Sequence, residues 1–213
     1  SAPAAILAAK MLVPEKEKFD SSMIINKERI GSNALEAISN GTTDGLKLAI
    51  NVGAMLLVFT ALIYMANYIL GFAGSLTGLN AMIEANSNYD TLSLQFLLGY
   101  LFAPIAWIIG VCKDDMILVG QLLGEKTILN EFYAYVTLGN MKNSSLFTEE
   151  RSIIMATYIL CGFANFASIG IQIGGIGALV PERKAMLSQL GVKALIGGTI
   201  ACLFTATVVG MLI

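Results

Sequence analysis

The chain has 213 residues, of which 56% are apolar and only 13% charged, and its formal charge is −2. Soluble domains carry about 25% charged residues, and the mean hydropathy here is +0.73, so the composition is that of a chain solvated by lipid. The slight negative balance leaves no basic face for nucleic acid, and the absence of histidine removes the commonest metal ligand and general base.

Residues 1–13 read as the end of a truncated membrane helix. Ser1-Ala2-Pro3-Ala4 has no initiator methionine, no basic n-region and no cleavage site, so it is not a signal peptide, and Ala4–Val13 is largely apolar. Residues 14–45 read as an extramembrane loop and the start of an amphipathic helix, because Pro14–Asn40 is rich in Lys, Glu, Ser and Asn. Crossing the hydrocarbon layer takes about 20 apolar residues. Residues 46–111 supply two such spans, Leu46–Leu70 and Leu92–Val111. The connection Gly71–Thr91 reads as a loop ending in the turn signal Asn86-Ser87-Asn88-Tyr89-Asp90. Residues 149–213 supply Ile153–Val180 and Ala194–Ile213, separated by the charged turn Pro181-Glu182-Arg183-Lys184. The expected class is therefore an all-α integral membrane protein. Cys112, Cys161 and Cys202 show neither zinc spacing nor a CxxC pair, and read as small apolar side chains. Basic residues flank both the first loop and the Pro181 turn, so charge bias leaves the orientation open.

Residues 115–141 differ from the other segments. Asp115–Met141 is apolar at both ends and polar in the middle, Gly124-Glu125-Lys126-Thr127-Ile128-Leu129-Asn130-Glu131. Neither half can span a bilayer. Two readings stand: a re-entrant helical hairpin whose polar tip lies inside the membrane, or a partly exposed interfacial helix.

In lipid the polar residue is the informative one, because a carboxylate at mid-membrane costs at least ~2.5–3.5 kcal/mol. Glu131, beside Asn130 and between Leu129 and Phe132, is the strongest case. It reads as a ligand-binding acid or as a helix-end acid snorkelling to the interface. In Ile153–Val180, Thr157, Cys161, Asn165, Ser168 and Gln172 recur at helical spacing and predict one polar face, opposite Ile159, Phe166, Ile169 and Ile173. Gly162, Gly170, Gly174, Gly175 and Gly177 crowd the same segment and predict either local unwinding around a solute or close helix packing. The Gly-rich run 170–177 follows no strand and lacks a lysine, so it does not read as a phosphate loop. Asn40, Asp44, Lys47 and Asn51 form a stripe in which Asp44 and Lys47 can pair. Ala194, Gly197, Gly198, Ala201 and Thr205 form a small-residue packing face. Two glycine-interrupted segments with polar groups at mid-depth are the pattern of a secondary transporter's binding site.

Gly124-x-Lys126-x-x-x-Asn130-Glu131-Phe132 resembles the signature of the concentrative nucleoside transporter family, with Tyr133 where valine is usual and Ala134 kept. Cys161-Gly162-Phe163-Ala164-Asn165-Phe166-Ala167-Ser168-Ile169-Gly170-Ile171 resembles the family's second signature. Ser1–Ala5 and Gly45–Gly53 also look alike, so the resemblance covers the whole chain as the C-terminal half of a family member. It implies a sodium- or proton-driven nucleoside symporter of the bacterial inner membrane, a homotrimer with an elevator-like movement, built from transmembrane helices, one re-entrant helical hairpin and a broken transmembrane helix. It further implies that Glu131 binds ribose hydroxyls, that Asn130, Asn165 and Ser168 join it, and that Phe163 lines the pocket. Nucleosides such as uridine would be the substrates. No cofactor beyond the coupling ion is implied, and no metal ligand in this segment. The base would be read by a first hairpin outside this chain, and the Pro181 turn would face the cytoplasm. A membrane-embedded enzyme would need an activated nucleophile or a metal, and the residues supply neither. The alternative is a structural or channel-like subunit.

Overall fold

The computed structural model describes residues 2–14, 33–87 and 89–213. Every regular element among them is helical: α1 (Ala2–Leu12), α2 (Ala34–Thr77), α3 (Leu79–Asn86), α4 (Leu94–Ile108), α5 (Met116–Ile128), α6 (Glu131–Asn143), α7 (Glu150–Leu160), α8 (Phe166–Leu179), a 3-10 turn (Pro181–Arg183) and α9 (Lys184–Gly210). Most of the loop expected over 14–45 falls on residues 15–32, outside the described residues, and from Ala34 onward the chain is helical.

α2 begins at Asn33, whose side-chain oxygen accepts the Glu36 amide at 2.9 Å. This is an N-cap with a glutamate at its third position. The helix runs 44 residues, about 66 Å at 1.5 Å per residue, far more than a bilayer's ~30 Å core. The loop expected over Gly71–Thr91 is mostly helix instead. α2 continues through Gly71 and Gly74 to Thr77, turns at Gly78 with φ +73°, and α3 follows. Asn80 explains the difference, since its amide donates to Gly71 O at 2.9 Å while its oxygen accepts the Leu92 amide at 3.0 Å. Gly74 leaves room for that side chain.

Almost none of the most apolar stretch of α2 is buried within the chain, and Leu57, Tyr64, Tyr68 and Phe72 point outward. An apolar surface of this size is made for lipid or another subunit, not for water. Among the described residues, α2 and the unit Pro181–Gly210 are long and apolar enough to cross a membrane. α4 has 15 residues, and α7 and α8 have 11 and 14, so none of these three crosses alone.

α4 and α5 pack backbone to backbone. A side chain at Gly120 would meet Gly99 O at 2.5 Å and the Ala103 backbone at 2.7 Å, and one at Gly124 would meet Gly99 N at 2.8 Å. Small residues permit this approach. Gly110, at φ +109°, makes the turn between the two helices. As a result α5 is buried continuously from Val119 to Ile128. The main core lies here, where Val119, Leu122 and Leu123 pack with Ala134, Met155, Ile159 and Ala206. The small-residue face of α9 packs as its composition predicts: Gly197 lies against Leu12 of α1, and Gly198 against Ala164. Asp44 and Lys47 sit 3.8 Å apart but are both strongly exposed, so their pairing adds little.

Candidate binding site at two helix breaks

α5 and α7 lie side by side in the same direction, and two contacts fix their register. At their heads, buried Asp115 accepts the Thr148 amide at 2.8 Å and the Glu149 amide at 3.1 Å. These are orphan donors at the entrance of α7. Burial works to raise the Asp115 carboxyl. The amides of Thr148 and Glu149, with the Ser152 hydroxyl and the Cys112 thiol, outweigh it and hold the group below its ordinary value. At the tails, Lys126 on the last turn of α5 donates to Ile159 O at 2.8 Å on the last turn of α7. α6 ends at Asn143, a short turn before Thr148, so the chain comes back to the level at which α5 began. Each arm has 13 residues, about 20 Å of helix.

Beyond the tails both helices break at the same level. Leu129 takes φ −94°, ψ −91°, and Asn130 is fully extended before α6 restarts. In the second break, residues 161–165, Asn165 is again extended before α8. Each asparagine caps the helix it precedes. Asn130 Oδ1 accepts the Tyr133 amide at 2.9 Å. Asn165 Oδ1 accepts both the amide of Ser168 at 2.7 Å and its hydroxyl at 2.8 Å. The side-chain amide of Asn165 then donates to Glu131 Oε2 at 3.1 Å. One carboxylate therefore stands where two helix N-termini meet, and their positive ends favour its charge.

An open cavity of about 560 Å³ adjoins the second break, bounded by residues 161–165, by Ser168 and Gln172 of α8, and by Gly198 and Cys202 of α9. Its walls are chiefly apolar, with Ile169, Leu187 and Leu195 among them. Glu131 is not part of the lining and joins it through Asn165. A carboxylate offers about four lone-pair positions, so hydroxyl donors in this corner find acceptors that the Asn165 bond leaves open.

The structure thus brings Glu131, Asn165 and Ser168 together. Glu131 is half-buried and Asn165 buried. Asn130 is exposed, and its side chain caps α6. Phe163 borders the cavity but is 78% exposed, so it forms a rim and not an enclosed wall. The continuous polar face expected from Thr157 to Gln172 is interrupted, because residues 161–165 are not helical. The spacing of four loses its meaning across that gap. Thr157 turns its hydroxyl to Ile153 O and is absent from the cavity, whereas Ile169, expected on the opposite face, lines it.

Sequence reasoning missed Lys126, which is completely buried, and Tyr135, whose hydroxyl donates to Thr157 O at 2.8 Å. Its place in the polar centre of residues 115–141, within an otherwise apolar segment, was the available signal. The tyrosine gave none.

The family model described as Na+ dependent nucleoside transporter C-terminus matches residues 1–210. Over its full length the chain is 39% identical to the uncharacterized transporter YutK of Bacillus subtilis, covering 50% of that protein. It is 37% identical to the nucleoside permease NupC of Helicobacter pylori, covering 49%. The chain therefore spans about half the length of these relatives. An outward-facing structure of a CNTnw variant superposes with a TM-score of 0.84 at 34% identity, over 99% of this chain and 48% of that one. The chain belongs to the Na+-dependent nucleoside transporter family, by its match to that family's C-terminal region.

Proposed function

We propose that this chain forms the sugar-binding part of an ion-coupled nucleoside symporter, a homotrimer in the bacterial inner membrane, with sodium or a proton as the coupling ion. Family membership supports transport. The observation that carries the sugar role is the Glu131–Asn165 contact at the meeting of two half-helix N-termini. α5 and α6 act as a re-entrant hairpin, whose arms of about 20 Å are too short to cross a ~30 Å core. Protein surrounds α5 along most of its length, which is the condition for a chain break at membrane depth.

Ribose presents vicinal hydroxyls. They donate to the free lone pairs of Glu131, Asn165 holds that carboxylate in place, and the Ser168 oxygen accepts a further donor. Asn130 fixes the start of α6 and so the direction of Glu131. Phe163 closes over the apolar side of the nucleoside. In a dry site each hydroxyl left unmatched costs ~1–3 kcal/mol.

The test is uridine uptake by cells carrying the full-length transporter, under an imposed sodium or proton gradient. Glu131→Gln is expected to insert normally and to lose most uptake, and 3′-deoxyuridine is expected to compete about tenfold less well than uridine. Equal competition by the two, or unchanged uptake in Glu131→Gln, overturns the reading.

A further inference from the structure

The most deeply buried charged side chain near the site is not the acid but Lys126, which is 0% exposed. This chain alone covers it completely, and a polar group so placed must find its partners inside. The structure shows two. Nζ donates to Ile159 O at 2.8 Å and to Cys202 Sγ at 3.4 Å. No carboxylate among the described residues pairs with it at salt-bridge distance.

The carbonyl it reaches is informative. α7 stops at Leu160, so Ile159 is one of the last residues of a helix whose final carbonyls have no intrahelical donor. Lys126 itself sits on the last turn of α5. Its ammonium thus lies at the negative end of α7, at the level where α5 also stops. On the far side of the breaks, two positive helix ends meet at Glu131. Lys126 and Glu131 stand five residues apart (131 − 126), one on each side of the break between α5 and α6.

We propose that Lys126 is a positioning residue of the sugar site: tied to the open end of α7, it holds the two breaks in register and serves as the buried counter-charge of Glu131. The inference rests on the sugar role proposed above for Glu131. Lys126 touches no substrate. It acts through the acid, so its removal impairs recognition of ribose hydroxyls and spares the rest of the nucleoside.

The experiment is a double-mutant cycle in the full-length transporter, with Lys126→Met, Glu131→Gln and the pair. KM and maximal rate are measured for uridine and for 2′,3′-dideoxyuridine, which lacks both hydroxyls. Lys126→Met is expected to raise the uridine KM by about tenfold and the dideoxyuridine KM by less than about twofold. In the Glu131→Gln background Lys126→Met is expected to add less than about twofold. Equal losses for the two substrates, or fully additive effects, overturn the proposal and leave Lys126 as packing. If Glu131→Gln itself spares the preference for ribose, the sugar site is wrong. If Glu131→Gln abolishes that preference while Lys126→Met keeps it, only the present inference fails. Should Lys126→Met not reach the membrane, Lys126→Arg decides. Retaining the charge, it is expected to keep the preference for uridine over dideoxyuridine within about threefold of wild type, and loss of that preference in a well-inserted protein counts against the counter-charge role.

Discussion

The break between α5 and α6 takes two residues and turns the chain back, whereas the break between α7 and α8 takes five and lets the chain run on without the two helices packing together. Both restart on an extended asparagine that caps the next helix. They part in what that asparagine does besides. Asn130 is exposed and is occupied with its own helix, while Asn165 is buried and spends its second polar atom on the opposite break. One local design therefore serves two ends: the first break presents a charge, and the second holds that charge in place.

The sharpest way to break this comparison is to remove the two asparagines in turn. Asn165→Ala removes a cap, the partner of the Ser168 hydroxyl and the donor to Glu131. The cap is worth about 1 kcal/mol of stability, read as a lowered Tm in detergent, and the two bonds at the site about 2 kcal/mol, roughly thirtyfold in kcat/KM for uridine. Next in size is the support beneath the first break. Gly120→Ala puts a methyl 2.5 Å from Gly99 O, against backbone that cannot yield cheaply. It should cost about 1–3 kcal/mol of stability, read as a lower Tm, while the ratio of uridine to 3′-deoxyuridine uptake stays at the wild-type value. A changed ratio would mean that the packing of α4 on α5 also tunes recognition.

Asn130→Ala should cost only about 1 kcal/mol, about fivefold at most in the uridine KM. A loss as large as that of Asn165→Ala would show the two breaks to be equivalent. The smallest effect concerns Asp115. Its carboxyl is held below its ordinary value of 3.8. The ionised form is thus favoured by folding, and its stabilisation is complete above that value. It is lost as pH falls below 3.8 toward the depressed folded-state value. Thermal melts across this range should show acid destabilisation in the wild type and a flatter profile in Asp115→Asn.

Much of this was legible before the fold was seen. The apolar runs, the polar centre of residues 115–141, and Glu131, Asn165 and Ser168 all stand out, because lipid makes polar residues conspicuous. The course of α2 through Gly71 and Gly74 was not, since glycines in a Ser/Asn-rich stretch read as a loop. The Asn80 side chain, bonded to residues on both sides of it, ties the end of the helix to the segment after the turn. The polar face from Thr157 to Gln172 is continuous in the sequence but not in the fold, where residues 161–165 interrupt it, as periodicity carries no notice of where a helix stops. The partners of Lys126 could not be read at all, because α5, α7 and α9 converge on it from positions up to 76 residues apart in the chain.

Asp115 makes the two ends of the α5–α7 pair unequal. It joins the base of α5 to the start of α7, and letting go would leave two amides at the entrance of α7 and a buried carboxylate without their partners at once. The base is therefore the costly place to open. At the far end Lys126 bonds Ile159 O at 2.8 Å, and beyond it the two breaks meet through the 3.1 Å contact from Asn165 to Glu131. Parting the two breaks beyond Lys126 therefore disturbs one amide–carboxylate contact, while the base of α5 stays tied to α7.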